Sequence, residues 1–263
     1  NSKGQLVREW YGGQRFYTFG DPDPENANRF WIMSQWGWVM EIEIDYDTGD
    51  WRPLATYRWF QMLDGSMVRR FENASRFRIV RRDVDGDGKT ERFIWVNTLP
   101  GSLLQVDEPA GVLRPFAILA SVPGDIVGPK LWRDPLPASE LPPLYIGALA
   151  EKGIDVDQTP IKRQQWKTYS WADADGDGVM EVDEIELYQV KDRRLLGPLG
   201  SAMEIDPDFN IYSSWRYGGE GRPAWVKFPP VRFNELGAPR WAWTEHQTPD
   251  NAAPFREVRD VLV

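Results

Sequence analysis

The chain has no cysteine and only one histidine, His246, among its 263 residues. Thiol nucleophiles, disulfides, zinc–thiolate sites, iron–sulfur clusters and c-type haem attachment are thereby excluded. The single histidine also removes metal sites built on two or three imidazoles, and a Ser-His-Asp hydrolase would have to use His246. No apolar run approaches the ~20 residues of a membrane-spanning helix. Phe116 to Val122, one of the longest, falls far short. There is no Gly-rich phosphate loop, nucleophile elbow or dinucleotide fingerprint. Basic charge is in deficit, with 31 Lys and Arg against 40 Asp and Glu and a net charge of −9, the wrong sign for a phosphate-backbone binder. Nucleic acid and membrane insertion are therefore not expected. What remains is carboxylate, Tyr, Lys and Arg chemistry, together with hard, oxygen-ligated metals.

Against these absences stand 14 Trp, 23 Gly and 21 Pro. That much Gly and Pro suits short strands joined by many turns, not a helical bundle. The tryptophans fit two uses, as flat core fillers between sheets or as stacking platforms for sugars. With 41% hydrophobic and 27% charged residues, the composition is that of a globular chain. The sequence begins at Asn1 without a signal peptide, so a processed or excised piece of a longer chain is expected.

Strand signals recur along the sequence. Phe30 to Met33 precedes Trp38 to Ile44, whose second half alternates apolar and acidic residues. Phe77 to Val80, Phe93 to Val96, Leu103 to Val106 and Val112 to Ala120 follow. Later, Ala202 to Tyr212 reads as strand, Asp-Pro turn, strand. Six prolines from Pro123 to Pro143 exclude a regular element there. Leu144 to Gly153 is read as one short helix stopped by its glycine, and Asp21 to Asn26 as a loop. Strand patterning resumes on both sides of each interruption, so a single domain over 1–263 is predicted, with a Pro-rich insertion at about 123–153.

A unit of Asp or Asn, a short gap, Gly and an apolar strand occurs at Asn1 to Gly4, Asp45 to Gly49, Asp107 to Gly111 and Asn234 to Gly237. Gly4 and Gly49 are 45 residues apart, within the ~40–50 residues of a four-stranded propeller blade, and Gly49 and Gly111 are 62 apart, a blade lengthened by loop insertions. The predicted fold is all-β and propeller-like, with about five blades or a propeller fragment, and a β-sandwich is the alternative.

Two acidic loops carry the chemistry. In the second, Asp173, Asp175 and Asp177 occupy positions 1, 3 and 5, Gly178 position 6, Val179 position 7 and Glu184 position 12. This is the donor order of an EF-hand calcium loop, with the Val179 carbonyl as backbone ligand and Glu184 closing the shell. Met180 would anchor the loop on apolar ground. The flanks, Gln165 to Trp171 and Ile185 to Leu187, are strand-like, so the loop is expected between β elements. The first loop runs Asp83, Asp85, Asp87, Lys89 and Glu91 before Phe93 to Val96. Ile94 stands at its position 12, so Glu91 would close the shell, with the Lys89 carbonyl as fifth ligand.

An Asp-x-Asp-Gly-Asp-Gly-x-x-acid loop feeding an apolar strand resembles the calcium hairpins of integrin-type FG-GAP β-propellers. The segments Glu204 to Tyr212 and Pro230 to Pro239 resemble blades of NHL-type propellers in large secreted bacterial proteins. The resemblance implies an extracellular or cell-surface propeller whose calcium ions brace loops. The expected function is a calcium-binding, non-catalytic binding or structural module, with polysaccharide or an extracellular protein as candidate partner. A secreted carbohydrate-active enzyme, either a polysaccharide lyase or a glycoside hydrolase, is the alternative. Tyr11, Arg15, Tyr17 and His246 are candidate lyase groups, with calcium neutralising the substrate carboxylate. Glu41 and Glu43 share a strand face and are read as solvated, His246 is read as structural or exposed, and Asn73-Ala74-Ser75 is a glycosylation sequon.

Overall fold

A computed structural model describes residues 18–34, 38–57, 59–61, 67–68, 76–97, 101–121, 143–155, 168–189, 199–215 and 225–248. The Pro-rich run to Pro142, Asn1 to Gly4, Tyr11, Arg15, Tyr17 and the sequon lie outside these residues.

The first sheet is a four-stranded antiparallel meander of β1 (Thr18–Pro22), β2 (Arg29–Ser34), β3 (Trp38–Ile44) and β4 (Trp51–Tyr57). The central sheet adds β5 (Trp59–Gln61), β6 (Met67–Val68), β7 (Arg76–Arg82), β8 (Glu91–Asn97), β9 (Gly101–Asp107), β10 (Val112–Ser121), β11 (Thr168–Ala172) and β12 (Ile185–Tyr188). Its main path is β12-β11-β10-β9-β8-β7, and β5 joins β10 in parallel at Val112 and Leu113. A third sheet comprises β13 (Leu199–Ile205), β14 (Ile211–Trp215) and β15 (Trp225–Phe228). The fourth is the hairpin of β16 (Pro230–Phe233) and β17 (Pro239–Trp241). The chain is thus mostly β, and among the described residues no sheet closes on itself.

Burial on both faces explains the continuous apolar runs. From β8, Ile94 and Val96 meet Trp31, Met33, Val39 and Tyr57 of the first sheet. On the opposite face, Phe93 and Trp95 join Phe209, Val226, Phe228 and Trp241 of the later sheets. The tryptophans Trp31, Trp95, Trp171, Trp241 and Trp243 are fully buried core fillers. Helix α1 (Pro143–Glu151) covers a further patch, where Tyr145 and Leu149 pack with Ile118, Tyr169 and Trp171. It ends as expected. The Ile154 amide donates to the Leu149 carbonyl at 3.0 Å, and that of Gly153, at φ 67°, donates to Ala150 at 2.8 Å. This is a Schellman cap with its usual apolar contact.

Pro115 sits within β10, where it has no N–H to give the ladder. The register with β9 slips between Pro115 and Ala117, and the carbonyl of the extra residue, Phe116, accepts the amide of Asp173 at 3.0 Å. The bulge therefore places the first residue of the second acidic loop.

Two expectations need correction. Asp21 and Pro22 end β1 and do not begin a loop; Asp21 is buried, with its carboxylate on the Ile79 amide at 2.8 Å. Glu41 is not solvated. It does share a face with Glu43, but that face lies against the central sheet, so Glu41 is 3% exposed. It accepts from Arg92 at 2.9 Å and from Arg29 at 3.1 Å. Arg92, 9% exposed, lies over the Trp31 ring at 5.1 Å and also pairs with Glu108.

Removing Arg92 would leave Glu41 only its pair with Arg29, and removing Glu41 would leave Arg92 only its pair with Glu108, so each loss should cost up to the about 3–5 kcal/mol of a broken buried pair. Glu41→Ala and Arg92→Ala are each expected to lower the urea midpoint accordingly. The double variant Glu41→Leu with Arg92→Met should recover most of the loss. An unchanged midpoint in either single variant would show the pair to be dispensable.

Candidate metal-binding loops

Among the described residues, the acidic and Asn turns lie at one end of the stacked sheets, because antiparallel pairing returns each hairpin there. The first loop joins β7 to β8, and the second joins β11 to β12 through a single 3-10 turn, Val182–Glu184. Both are set between β elements, as the flanking sequence predicts. Met180 is buried in the cluster beneath the second loop, the anchor assigned to it.

The two loops repeat one pattern of backbone donation. Asp83 accepts the amides of Gly86 at 2.7 Å and Gly88 at 2.9 Å. Asp173 accepts those of Gly176 at 2.8 Å and Gly178 at 3.1 Å. At position 3, Asp85 and Asp175 accept the amides of Asp87 and Asp177. At position 5, Asp87 and Asp177 accept those of Lys89 and Val179. The glycines at positions 4 and 6 have φ between 74° and 86°, a region that admits Gly without strain. Three carboxylates are thereby gathered in each loop. Oxygens of Asp83, Asp85 and Asp87 lie within 4.8 Å of one another, as do those of Asp173, Asp175 and Asp177, and either triplet could hold a metal ion.

The glutamates do not join these triplets at that spacing, yet each folds back on its own loop. Glu91 accepts the amide of Val84 at 3.0 Å, and Glu184 accepts that of Ala174 at 2.6 Å. Both amides belong to position 2, so one closing role is filled from position 9 in one loop and position 12 in the other. Glu184 is buried and also takes the Trp171 indole N–H at 2.7 Å. Lys89, placed to offer its carbonyl, sets its ammonium on Asp87 at 2.9 Å, which together with the Lys89 amide holds the Asp87 carboxyl below its ordinary range. Val179 is half-buried beside Met180.

Three positioning contacts were not foreseen. Asn234 donates its side-chain amide to the Asp173 carbonyl, Arg240 donates to the Glu184 carbonyl at 2.7 Å, and α1 backs the 3-10 turn. A methyl group on Gly147 of that helix would stand 2.7 Å from a methyl of Val182. Asn234 opens the β16–β17 turn, and its carboxamide oxygen accepts from Leu236 and Ala238. That turn is wedged between the two loops. Leu236 lies 3.4 Å from where a methyl on Gly176 would be, and one on Gly237 would stand 2.5 Å from the Val84 carbonyl oxygen. At its three described positions, Asp45 to Gly49, Asp107 to Gly111 and Asn234 to Gly237, the Asp/Asn-to-Gly unit marks hairpin turns, the last of which couples the loops. His246 contacts the Trp243 carbonyl at 3.0 Å and packs on Phe228, a structural placement.

An open groove of about 590 Å³ is lined by residues of both loops, Glu91 of the first and Gly176 of the second. Arg92 and Arg114 line it, paired with Glu108 and with Asp107, the latter at 2.8 Å. No protein family, curated protein or solved structure compared with the chain matches it.

Burial pushes the Asp173 carboxyl from its ordinary 3.8 up to about 6. The Glu184 and Asp175 carboxylates add to the shift, while the amides of Gly176 and Gly178 oppose it. The folded, metal-free chain therefore keeps a proton there that the unfolded chain releases. The associated stability is complete below 3.8 and is lost as pH rises through about 6. Urea midpoints of metal-free protein across that range should show this fall, and Asp173→Asn should remove it; an equal fall in the variant would place it elsewhere. Gly237→Ala combines a left-handed φ of 74° with the clash against Val84, and should cost more than about 1 kcal/mol. Gly153→Ala, with open space around it, should cost less. Equal melting temperatures for these two variants would contradict the wedge.

Proposed function

We infer that this chain is a calcium-stabilised, non-catalytic binding or structural module that works outside the cytosol. The observation that carries the reading is the repetition of one loop geometry twice at the same end of the sheets, each loop gathering three aspartates. All side-chain donors in both loops are carboxylate oxygens, with no Cys or His among them. Such a set fits a hard cation over zinc or copper. Asp83, Asp85, Asp87 and Glu91, with the Lys89 carbonyl, would hold one ion. Asp173, Asp175, Asp177 and Glu184, with the Val179 carbonyl, would hold the other. Donor number favours calcium over magnesium, which demands a tighter octahedron and retains its waters. The ion would neutralise carboxylates that otherwise repel at close range. Loops of this kind commonly need up to millimolar calcium, which supports an extracellular or cell-surface setting.

Propeller-like stacking is the finer fold reading. It is supported by four-stranded β1–β4 laid face to face on the central sheet, which is itself covered on its other face. A β-sandwich would need only two layers. The enzymatic alternative is less well supported, because Asp107 and Glu108 in the groove lined by both loops are each tied to an arginine.

Ions that bind only the folded state add about 2.7 kcal/mol per site at a hundredfold excess over Kd. EDTA is therefore expected to lower the melting temperature by several degrees, calcium to restore it, and Asp175→Ala to remove much of the second site's share. An unchanged melt in EDTA, with no calcium by elemental analysis after loading, would refute the reading. Assays for unsaturated uronic products and reducing ends should stay blank.

A further inference from the structure

We propose that the groove at the β3–β4 turn is a binding site for a neutral oligosaccharide. It measures about 510 Å³ and is separate from both metal-binding loops. Tyr46 and Trp51 open onto it, 63% and 45% exposed, whereas five other tryptophans are fully buried. Large aromatic surface left in water at a concave site asks for a partner with an apolar face and a polar rim. Sugar rings have that form, with C–H faces that stack and hydroxyls around the edge.

The surroundings suit hydroxyl groups, which both donate and accept. Asn28 and Arg52 bring donors to the groove, and Asp47 and Asp50 bring acceptors. The platform is pre-ordered. Asp45 accepts the amides of Asp47 and Thr48 at 2.9 and 3.2 Å, its own amide donates to the Asp50 carbonyl at 2.8 Å, and Gly49 closes the turn at φ 73°. Little conformational freedom is then left to lose on binding. Trp51 is fixed in register opposite Ile44.

Charge narrows the class. Glu43, Asp45, Asp47 and Asp50 line the groove against one cation, Arg52, which is itself paired with Glu43 at 2.6 Å. Uronic or sulfated sugars would be repelled. A cationic peptide would gain from the acids but would meet the Arg52 guanidinium, and its backbone offers no apolar ring face to stack on Tyr46 and Trp51. Two exposed rings also fall well short of the ~800 Å² per side of a stable protein interface. The carboxylates here do not form a third gathered triplet among the described residues, so a metal site is not the explanation.

The proposal rests on the binding-module reading and not on the ions. The full chain would be titrated with cellohexaose, xylohexaose, mannohexaose and maltohexaose by calorimetry and tryptophan fluorescence, alongside oligogalacturonate and oligolysine. At least one neutral oligosaccharide should bind, oligogalacturonate should not, and Trp51→Ala and Tyr46→Ala should each weaken binding about tenfold at unchanged melting temperature. Trp51→Phe, which keeps a ring, should retain more affinity than Trp51→Ala and guards against a folding artefact. The proposal fails if no neutral oligosaccharide binds, if Trp51→Ala binds like the unaltered chain, or if oligolysine alone shows Trp51-dependent binding. A melt that still responds to EDTA in those cases would leave the calcium reading standing, whereas turnover of a bound sugar would overturn the non-catalytic reading instead.

Discussion

A sheet with no solvent face is the constraint from which the rest of this structure follows. The central strands are covered by β1–β4 on one side and by β13–β17 on the other. Neighbouring residues such as Phe93 and Ile94 are therefore both core residues although they point in opposite directions. Charge buried between two such sheets must be paired, and Arg92, the second residue of β8, meets that demand by taking Glu41 from the facing sheet. Elsewhere, charge is displaced to strand ends, where water and turn amides are within reach. Asp23 shows the compromise at the margin. Burial opposes its ionisation, but Arg81, the Glu25 amide and the Trp31 indole outweigh that and hold its carboxyl below the ordinary range.

Because hairpins return to one end, acids displaced from the core accumulate on one rim. Backbone amides satisfy the hydrogen-bonding capacity of these carboxylates but do not neutralise them, and amide donation brings the three aspartates of a loop closer together. Two unit charges 4 Å apart repel by about 1 kcal/mol in water and by more where solvent is excluded. Asp173, the buried one, responds by holding its proton to higher pH. A bound cation would relieve the same strain from the other direction. The proposed metal site draws on that crowding, and the proton affinity of Asp173 draws first on its burial and then on the same neighbouring carboxylates.

Much of the fold was legible because its signals are local. Short apolar runs, with alternation in the second half of Trp38 to Ile44, mark β2, β3 and β7–β10, and Gly153 marks the helix end, since these depend on neighbours in sequence. The loops were legible too, through the spacing of Asp and Gly that sets their turns. What escaped depends on distant partners. Glu41 alternates with apolar residues as a solvated strand residue would, and only the arrival of Arg92 from 51 residues away makes it a core residue. A sequence signal existed in Arg92 itself, a lone cation in step with Ile94 and Val96 on a strand buried from both sides. Asn234 was visible as a turn residue, but its bond to the Asp173 carbonyl spans 61 positions, and no local pattern records it.

The same pairing bears on the binding role proposed for the acidic rim. General acid–base work needs a carboxyl whose proton affinity is shifted and which can reach a substrate. Asp173 has the shift, but it is buried and its two oxygens are occupied by the amides of Gly176 and Gly178. Asp107 and Glu108 can be reached from the groove, but arginines hold them in ion pairs. What the rim offers instead is rigidity. Two loops are locked to each other through the Asn234–Gly237 wedge and to the core through Phe116, Arg240 and α1. A surface fixed in this way loses little freedom when it meets a partner, which is the physical requirement of a binding module.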